Sequence, residues 1–322
     1  MKQKVLFIGI GFYDYDIIIR QAIEKLGFEV DYFCETPKGF FYSFANYLKL
    51  NSISQTFRNN HSMNIANACG NDYSYIFVIK GDCITHEALN IIQQKNKNAK
   101  TVLYLWDSIK RMPNYKNIQG FFMSIYSFDR VDCINNKKIK FKPLFYRSEY
   151  KINNKQNNFI YDLFFIGWAH SDRAILLKEI DLKLQSQDLK TKFLIFVGKA
   201  AYYISKPIRA IRTMTIQKPI STKDIAQYCS ESRAILDIAH PLQTGLTMRT
   251  IEVLFGIGRK LITTNKDIIN YDFYNKNNIL IINRDNLDIP KDFFKSNFII
   301  YPDDLRDSFF IENWVKDFFD ES

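Results

Sequence analysis

Short segments of continuous apolar residues alternate along this chain with segments whose apolar residues recur at helical spacing. In the first such unit, an apolar run at 4–9 ends in glycine, a helical pattern covers 14–26, and a second apolar run covers 28–34. A strand, a helix and a strand within about 30 residues form a βαβ unit, which requires a parallel sheet and a right-handed crossover. The alternation therefore predicts an α/β protein built on parallel sheets.

The alternation runs through the whole chain with one interruption. At 135–158 the composition shifts to lysine, asparagine and glutamine, and we expect a linker there. Before the linker, strands are predicted at 75–80, 101–106 and 130–134, and a helix at 86–94. After it, strands are predicted at 161–166, 192–197, 234–238 and 260–264, and helices at 171–184, 222–230 and 247–255.

The pattern and the length of 322 residues predict two doubly wound, Rossmann-like domains in tandem, 1–150 and 151–302. The last segment, 303–322, begins with acidic residues and then carries aromatic residues at helical spacing, which predicts a C-terminal helix. That helix could complete the second domain or pack back on the first.

Composition narrows the class of protein. With 47% hydrophobic and 24% charged residues the chain is typical of a folded protein, and no segment approaches the ~20 apolar residues that cross a bilayer. The five cysteines show no metal-binding spacing, so we expect reduced thiols and a cytoplasmic location. The net charge of +10 favours an anionic partner. The cations are spread along the chain without a nucleic-acid-binding motif, which argues against nucleic acid.

A glycine-containing turn follows the first predicted strand. Gly9 and Gly11 match the start of a dinucleotide fingerprint, and Glu35 stands where such a fingerprint has its ribose-binding acid. The third glycine is replaced by Asp14, whose carboxylate would face a pyrophosphate, and this argues against a nicotinamide or flavin cofactor. Asp14 and Asp16 also form an Asp-x-Asp pair that could hold a divalent ion, although helix N-termini favour acids whatever the function.

The most informative segment is 236–264. A predicted strand ends there in a polar loop with Gly245, and a helix begins at Thr247, so unpaired backbone N–H groups point into the loop and suit a diphosphate. Arg249 in the first turn can bind phosphate oxygens, and Glu252 one turn later can accept hydrogen bonds from a ribose. Alternatively, Arg249 and Glu252 form a surface ion pair. In either case we expect the pair to be exposed, so that replacing it alters nucleotide affinity and hardly changes the melting temperature.

The order of motifs in this segment resembles that of nucleotide-sugar-dependent glycosyltransferases of the GT-B fold, most closely those of bacterial capsule and lipopolysaccharide biosynthesis. The motifs are Gln-Thr-Gly-Leu-Thr-x-Arg at 243–249, Glu252, Gly-x-Gly-Arg-Lys at 256–260 and Leu-Ile-Thr-Thr-Asn at 261–265. The resemblance implies two Rossmann-like domains that face each other across a cleft. It also implies a nucleoside-diphosphate sugar bound to the second domain and a glycan or lipid-linked acceptor bound to the first.

The resemblance also implies which residues serve the donor and the acceptor. The expected nucleotide-binding residues are Gly167, Arg173, Lys199, Thr244, Gly245, Leu246, Thr247, Arg249 and Glu252. Retaining members usually carry a second glutamate two turns before the first, where this chain has Thr244, so inversion and retention both stay open. The candidate bases for the acceptor hydroxyl follow first-domain strands and are Asp14, Asp82 and Asp107, of which the last two could equally cap helices.

We expect no metal and no other cofactor, because cations and the helix N-terminus can neutralise the leaving diphosphate. Two alternatives are a non-catalytic two-domain binding protein for sugars or nucleotides and an NAD-dependent oxidoreductase. The segments 38–49 and 206–212 combine aromatic or aliphatic residues with cations. They predict peripheral contact with the anionic inner face of the cell membrane, where a lipid-linked acceptor would be found.

Overall fold

The computed structural model describes residues 2–319 except 152–157, 170–171, 199–201, 204–207, 209–210 and 241–243. Over these residues the chain forms two compact units, each with a six-stranded sheet in which all strand pairs are parallel. The first unit comprises Met1–Pro143 and Ile311–Ser322, and the second comprises Leu144–Phe310. The predicted α/β class with two Rossmann-like sheets is confirmed.

The first unit alternates strands and helices. Its strands are β1 (Lys4–Gly9), β2 (Glu29–Cys34), β3 (Tyr75–Ile79), β4 (Lys100–Leu105), β5 (Ser124–Ser127) and β6 (Ile139–Phe141). Its helices before the second unit are α1 (Tyr15–Lys25), α2 (Phe40–Tyr47), α3 (Asn51–Ala68), α4 (His86–Lys95), α5 (Tyr115–Ile118) and α6 (Arg130–Asn135). Single 3₁₀ turns lie at Ile109–Arg111 and Gln119–Phe121.

The sheet of the first unit has the order β2-β1-β3-β4-β5-β6, so the chain changes direction across the sheet between β1 and β3. Every residue of β3 is buried, as expected for a parallel strand covered by helices on both faces. In such sheets, ligands bind outside the carboxyl ends of the strands at the point where the order reverses.

The strand predicted at 130–134 is wrong, because these residues form helix α6. Asp129 stands before the helix, and its carboxylate accepts a hydrogen bond from the Val131 N–H at 3.0 Å. An N-cap of this kind satisfies a backbone donor that a strand would have paired with its neighbour, and so it favours the helix.

The second unit repeats the architecture. Its strands are β7 (Tyr161–Trp168), β8 (Thr191–Phe196), β9 (Thr215–Ile216), β10 (Ser232–Asp237), β11 (Lys260–Thr263) and β12 (Ile279–Ile281). Its helices are α7 (Arg173–Gln185), α8 (Thr222–Ser230), α9 (Met248–Ile251), α10 (Lys291–Lys295) and α11 (Asp303–Ser308), and α9 continues as the π-helical segment Glu252–Ile257. Single 3₁₀ turns lie at Ser148–Tyr150, Arg212–Met214 and Lys266–Asn270. The order β12-β11-β10-β7-β8-β9 reverses between β7 and β10.

The C-terminal segment is divided between the two units. Helix α11 belongs to the second unit, whereas α12 (Ile311–Lys316) belongs to the first, so 303–322 is not one helix. Trp314 of α12 is 1% exposed, its Nε1 donates to the Pro143 carbonyl at 2.7 Å, and its ring lies 4.9 Å from that of Tyr104. The aromatic residues of this segment therefore complete the core of the first unit.

The units divide at Pro143 and Leu144, seven residues before the predicted boundary at 150. Residues 144–151, which the composition places in a linker, are part of the second unit, and Tyr150 among them is 2% exposed. Lysine and asparagine are frequent on both sides of this segment, which is why the composition conceals its buried residues.

Candidate functional site

Arg173 lies where the strand order of the second sheet reverses, between β7 and β10. Its Nε and Nη2 donate to the Ile238 carbonyl at 3.1 and 2.5 Å, and its Nη1 donates to the Trp168 carbonyl at 3.3 Å. A Cβ on Gly167 would lie 3.2 Å from Nη1, so the glycine lets the guanidinium lie against the strand. Burial lowers the pKa of Arg173, and the Asp237 carboxylate partly offsets this effect. The predicted residues Gly167 and Arg173 thus lie together, and Arg173 joins the ends of β7 and β10.

Asp237, the last residue of β10, anchors the start of helix α9. Its carboxylate is 5% exposed and accepts hydrogen bonds from the hydroxyls of Thr247 at 2.7 Å and Thr250 at 3.1 Å. Thr247 is the N-cap residue, and its hydroxyl oxygen accepts from the Thr250 N–H at 3.3 Å. The helix therefore begins where the sequence predicts. The motifs do not include Asp237, although an acid at a strand end followed by two threonines three residues apart is a usable signal.

The loop before α9 is fixed to the end of β11. Asn265, 5% exposed, donates from its Nδ2 to the carbonyls of Thr244 at 3.0 Å and Gly245 at 3.2 Å. Leu246 is 3% exposed and packs inward. The loop predicted to seat a diphosphate is thus held by a side chain from the next strand. Lys199, another predicted contact, lies outside the described residues.

A cavity of about 310 Å³ lies at the carboxyl ends of β10, β11 and β12. Eight of its ten lining residues have polar side chains, and the full set is Ala239, His240, Thr244, Thr264, Asn265, Lys266, Asp267, Ile282, Asn283 and Arg284. Two of these residues are cations and one is an acid. Arg284 is held in place by an ion pair with Asp172 and by a hydrogen bond to the Ala239 carbonyl. The cationic side chains of Lys266 and Arg284 and the hydroxyl of Thr244 suit a phosphorylated ligand.

Arg249 and Glu252 form an ion pair, with Nη1 and Oε2 3.2 Å apart, but the pair is not on the surface. Glu252 is 2% exposed, and the Arg249 side chain is 18% exposed. The Arg249 Nη1 also lies 3.3 Å from the Tyr150 hydroxyl and 3.7 Å from the Cys229 sulfur. The expectation of an exposed pair is wrong. The expectation that replacing Arg249 or Glu252 hardly changes the melting temperature depends on that exposure and therefore has no support.

The surroundings of this pair come from the segment that the composition assigns to a linker. Arg147 is 5% exposed, and its Nη2 lies 2.5 Å from Oε1 of Glu149. Burial raises the pKa of Glu252, and the positive charges of Arg249 and Arg147 act against this rise. Two cations and two acids thus compensate one another inside the unit. Binding of a ribose by Glu252 stays a prediction, and it requires the surrounding side chains to move.

In the first unit, Asp16 fills the glycine-containing turn. Its carboxylate is 4% exposed and accepts hydrogen bonds from the N–H groups of Ile10 at 3.2 Å and Gly11 at 2.7 Å, and from the Tyr32 hydroxyl at 2.6 Å. A Cβ on Gly9 would lie 2.5 Å from the Asp16 Cγ. The glycine is therefore needed for the approach of Asp16, whose carboxylate takes the N–H groups that a pyrophosphate would use.

The same contacts bear on the Asp-x-Asp pair. The carboxylate oxygens of Asp16 already accept hydrogen bonds from backbone N–H groups and from the Tyr32 hydroxyl. Asp16 is therefore not placed to share a divalent ion with Asp14, which occupies the N-cap position of α1. Within the described ranges, no group of three or more His, Cys, Asp or Glu side chains is arranged to hold a metal ion.

Two of the candidate bases lie near Lys80, which follows β3. Asp107 pairs with Lys80 and with Arg111, both at 3.1 Å. Asp82 comes two residues after Lys80, in a turn where Lys80 and Gly81 have φ of 73° and 76°. The N-cap of α4 is Thr85 and that of the 3₁₀ turn at Ile109–Arg111 is Ser108, so the helix-cap alternative is wrong for both acids.

Glu35 lies beneath this turn and is 1% exposed. Its carboxylate oxygens accept from the N–H of Asp82 at 3.3 Å and of Cys83 at 3.2 Å. Burial raises the pKa of Glu35 to about 8, although the Cys83 N–H and the charge of Lys80 oppose the rise. Among the described residues, Asp82 Oδ1 is buried without a hydrogen-bond partner. A shifted carboxyl beneath an unpaired carboxylate oxygen, at the point where the sheet changes direction, marks a candidate site for acid–base chemistry.

A second cavity, of about 440 Å³, lies in the first unit beside the start of α4. It is lined by Gln55, Asn59, Thr85, His86, Glu87, Asn114 and Asn117. Asn114 is fixed to the turn after β3, because its Nδ2 donates to the carbonyls of Gly81 at 2.8 Å and Ile84 at 2.7 Å. Amide and hydroxyl groups of this kind suit a ligand rich in hydroxyl groups.

Comparisons with known proteins identify the fold. No protein-family model matches the sequence, and no curated protein matches it significantly. A glycosyltransferase from Rickettsia africae ESF-5 matches with a TM-score of 0.61 at 10% identity, covering 99% of this chain and 97% of that one. AviGT4, a glycosyltransferase involved in avilamycin A biosynthesis, matches with a TM-score of 0.60 at 10% identity, covering 98% and 96%. A UDP-GlcNAc 2-epimerase from Neisseria meningitidis, bound to UDP-GlcNAc, matches with a TM-score of 0.53 at 10% identity, covering 98% of both chains. The likeness shows that the chain has the GT-B fold.

Replacement of Arg249 should destabilise the second unit. Arg249→Met leaves the buried Glu252 carboxylate without its partner, which should cost about 3–5 kcal/mol in the free energy of unfolding. The double variant Arg249→Met, Glu252→Gln should regain most of that loss, because neither charge then remains buried. Urea unfolding followed by circular dichroism measures both. Arg20→Met is a matched control, since the Arg20–Glu24 pair at 2.8 Å is half exposed and should contribute less than about 1 kcal/mol. Similar small losses in Arg249→Met and Arg20→Met would contradict a buried pair.

The buried Glu35 should make stability depend on pH. Between its ordinary pKa of 4.5 and the folded value of about 8, the unfolded chain has lost the Glu35 proton and the folded chain keeps it. The contribution of Glu35 to the free energy of unfolding should thus fall as pH rises through this window, by at most about 1.4 kcal/mol per pH unit, and level off above it. Glu35→Gln should remove this slope, so denaturant unfolding should show the variant gaining on the wild type between pH 5 and pH 8. A difference that stays constant with pH would contradict the assignment.

Proposed function

We propose that the protein is a glycosyltransferase that moves a sugar from a nucleoside-diphosphate sugar to a glycan or glycolipid acceptor in the synthesis of a bacterial surface polysaccharide. The observation that carries the proposal is the cation-lined cavity at the carboxyl ends of β10–β12 in a GT-B fold. The cavity borders the loop whose motifs resemble those of capsule and lipopolysaccharide glycosyltransferases. As a peripheral protein at the inner face of the membrane, the enzyme would meet a lipid-linked acceptor.

The donor is proposed to bind to the second unit. Thr244, Lys266 and Arg284 line the cavity and would hold the diphosphate, with the positive end of helix α9 beside it. These groups would also stabilise the negative charge that develops on the departing diphosphate. The predicted contacts of Arg249 with the diphosphate and of Glu252 with the ribose are kept in the proposal, on the condition that the buried pair opens.

The acceptor is proposed to bind to the amide-lined cavity of the first unit, and Asp82 is the base that the contacts favour. Its Oδ1 lacks a hydrogen-bond partner among the described residues, whereas both oxygens of Asp107 are engaged by cations. A base must accept the hydroxyl proton as the bond to the sugar forms, and because Asp82 Oδ1 is buried, this role requires the turn at 80–83 to open toward the acceptor. Glu35, protonated at neutral pH beneath the turn, would keep a second negative charge away from Asp82.

No metal is needed in this scheme. The cations of the cavity and the helix N-terminus neutralise the diphosphate, and the Asp16 carboxylate is already used within its own turn. The Asp16 contacts also count against the oxidoreductase alternative, since a dinucleotide would have to displace that carboxylate.

A nucleotide-sugar epimerase is a second candidate, because a UDP-GlcNAc 2-epimerase is among the solved structures with this fold. An epimerase and a transferase share the donor and differ in the product. The epimerase returns an intact nucleotide sugar with one inverted carbon, whereas the transferase releases a nucleoside diphosphate.

Slow donor hydrolysis tests the proposal directly. With a panel of uridine-, guanosine-, cytidine- and thymidine-diphosphate sugars and excess chelator, the protein should release nucleoside diphosphate from one donor, with water replacing the acceptor. Asp82→Asn should lower this rate roughly 100-fold with little change in donor affinity, as expected for loss of a general base. The control Asp304→Asn, an exposed acid of α11, should behave like the wild type.

Each other outcome would overturn part of the proposal. No binding and no release across the panel would contradict an enzyme of this class. Loss of turnover with chelator and recovery with manganese would make Asp14 and Asp16 the leading residues. Formation of an epimeric nucleotide sugar without release of diphosphate would establish the second candidate.

A further inference from the structure

Helix α2 is apolar on almost every side, yet most of it faces solvent. Tyr42, 7% exposed, and Ala45, 2% exposed, point into the first unit. The aromatic residues on the other sides are exposed, namely Phe40 at 75%, Phe41 at 74%, Phe44 at 48% and Tyr47 at 83%. A helix that is hydrophobic all round is normally buried, so the exposure of these side chains calls for a partner.

The exposed surface continues into the next helix. Leu50 is 41% exposed at the start of α3, and Ile53, one turn later, is 48% exposed. We refer to Phe40, Phe41, Phe44, Tyr47, Leu50 and Ile53 as the aromatic face. The patch is contiguous along the chain and lies on two consecutive helices, unlike the scattered apolar residues that are normal on protein surfaces.

The charged residues within the segment that carries the aromatic face are all of one sign. From residue 36 to residue 71 the sequence has no aspartate or glutamate. Lys38 and Lys49 are exposed at the two ends of α2, and Arg58 of α3 donates from Nε to the Tyr42 hydroxyl at 3.2 Å. An apolar face bordered by lysines matches the boundary between acyl chains and anionic headgroups.

A second copy of the chain is a poorer occupant. In a symmetric dimer the same patch meets itself, so Lys38 and Lys49 would approach their own equivalents with no acid from 36–71 to pair with them. An anionic lipid surface supplies the negative charge that this region lacks.

We propose that the aromatic face is a peripheral membrane-binding surface, which enters the headgroup boundary of an anionic phospholipid bilayer while Lys38 and Lys49 bind lipid phosphates. Only the role of this surface, which is to bring the enzyme to a lipid-linked acceptor, rests on the proposed function. Over the described part of the chain, no helix is long and apolar enough to span a bilayer. The other predicted segment, 206–212, lies mostly outside the described residues.

Vesicle co-sedimentation tests the surface without any donor or acceptor. The full chain should bind vesicles of phosphatidylcholine mixed with phosphatidylglycerol and should bind pure phosphatidylcholine at least about tenfold more weakly. The double variant Phe40→Ser, Phe41→Ser should lose roughly tenfold or more in affinity for the mixed vesicles, and Lys38→Gln, Lys49→Gln should lose a similar factor. Met123→Ser is the matched control, because Met123 is 76% exposed in the same unit outside the aromatic face.

Three results would overturn the membrane surface. The first is equal binding to both kinds of vesicle, and the second is unchanged vesicle binding of the Phe40→Ser, Phe41→Ser variant. The third is a wild-type protein that is dimeric in light scattering while this variant is monomeric. The variants should keep the wild-type melting temperature and donor hydrolysis, since the replaced side chains are exposed. If the wild type hydrolyses a donor but does not bind vesicles, only the membrane-binding proposal is contradicted. If the wild type binds vesicles but hydrolyses no donor, only the proposed function is contradicted.

Discussion

One buried carboxylate in each unit fixes the local structure at the carboxyl end of its sheet. In the first unit, Asp16 lies inside the turn after β1 and takes its N–H groups. In the second unit, Asp237 lies at the strand end behind helix α9 and holds the hydroxyls of Thr247 and Thr250. The first arrangement fills the place of a phosphate, and the second fixes a helix start beside a cavity. Two sheets of the same topology thus differ in what their buried carboxylate contacts at the carboxyl ends of the strands.

The architecture was predictable because it depends on periodicity and on local caps. The apolar strands, their alternation with helices and the helix start at Thr247 are all encoded within a few residues. The helix at 130–135 was missed because one side chain, Asp129, decides it. The division at Pro143 lies seven residues before the predicted boundary at 150, and the return of Trp314 to the first unit depends on contacts with residues far away in the sequence.

The environment of the candidate site was less predictable for the same physical reason. Arg249 and Glu252 are three residues apart and look like a surface pair, yet Arg249 contacts Tyr150 of a distant segment and Glu252 is 2% exposed. Glu35 was identified as an acid at a strand end, but its burial under the Asp82 turn follows from packing that no motif reports. Motifs identify candidate residues, whereas the burial and the contacts of those residues follow from packing between distant segments.

Hydrogen–deuterium exchange with a bound nucleoside diphosphate tests most directly whether the second unit holds the donor. The protein would be compared with and without each of the uridine, guanosine, cytidine and thymidine diphosphates. For the diphosphate that binds, exchange should slow in the loop and helix at 244–257 and at 264–267, with no change in the turn at 9–16. Slowed exchange at 9–16, with 244–267 unaffected, would contradict the account and place the nucleotide on the first unit.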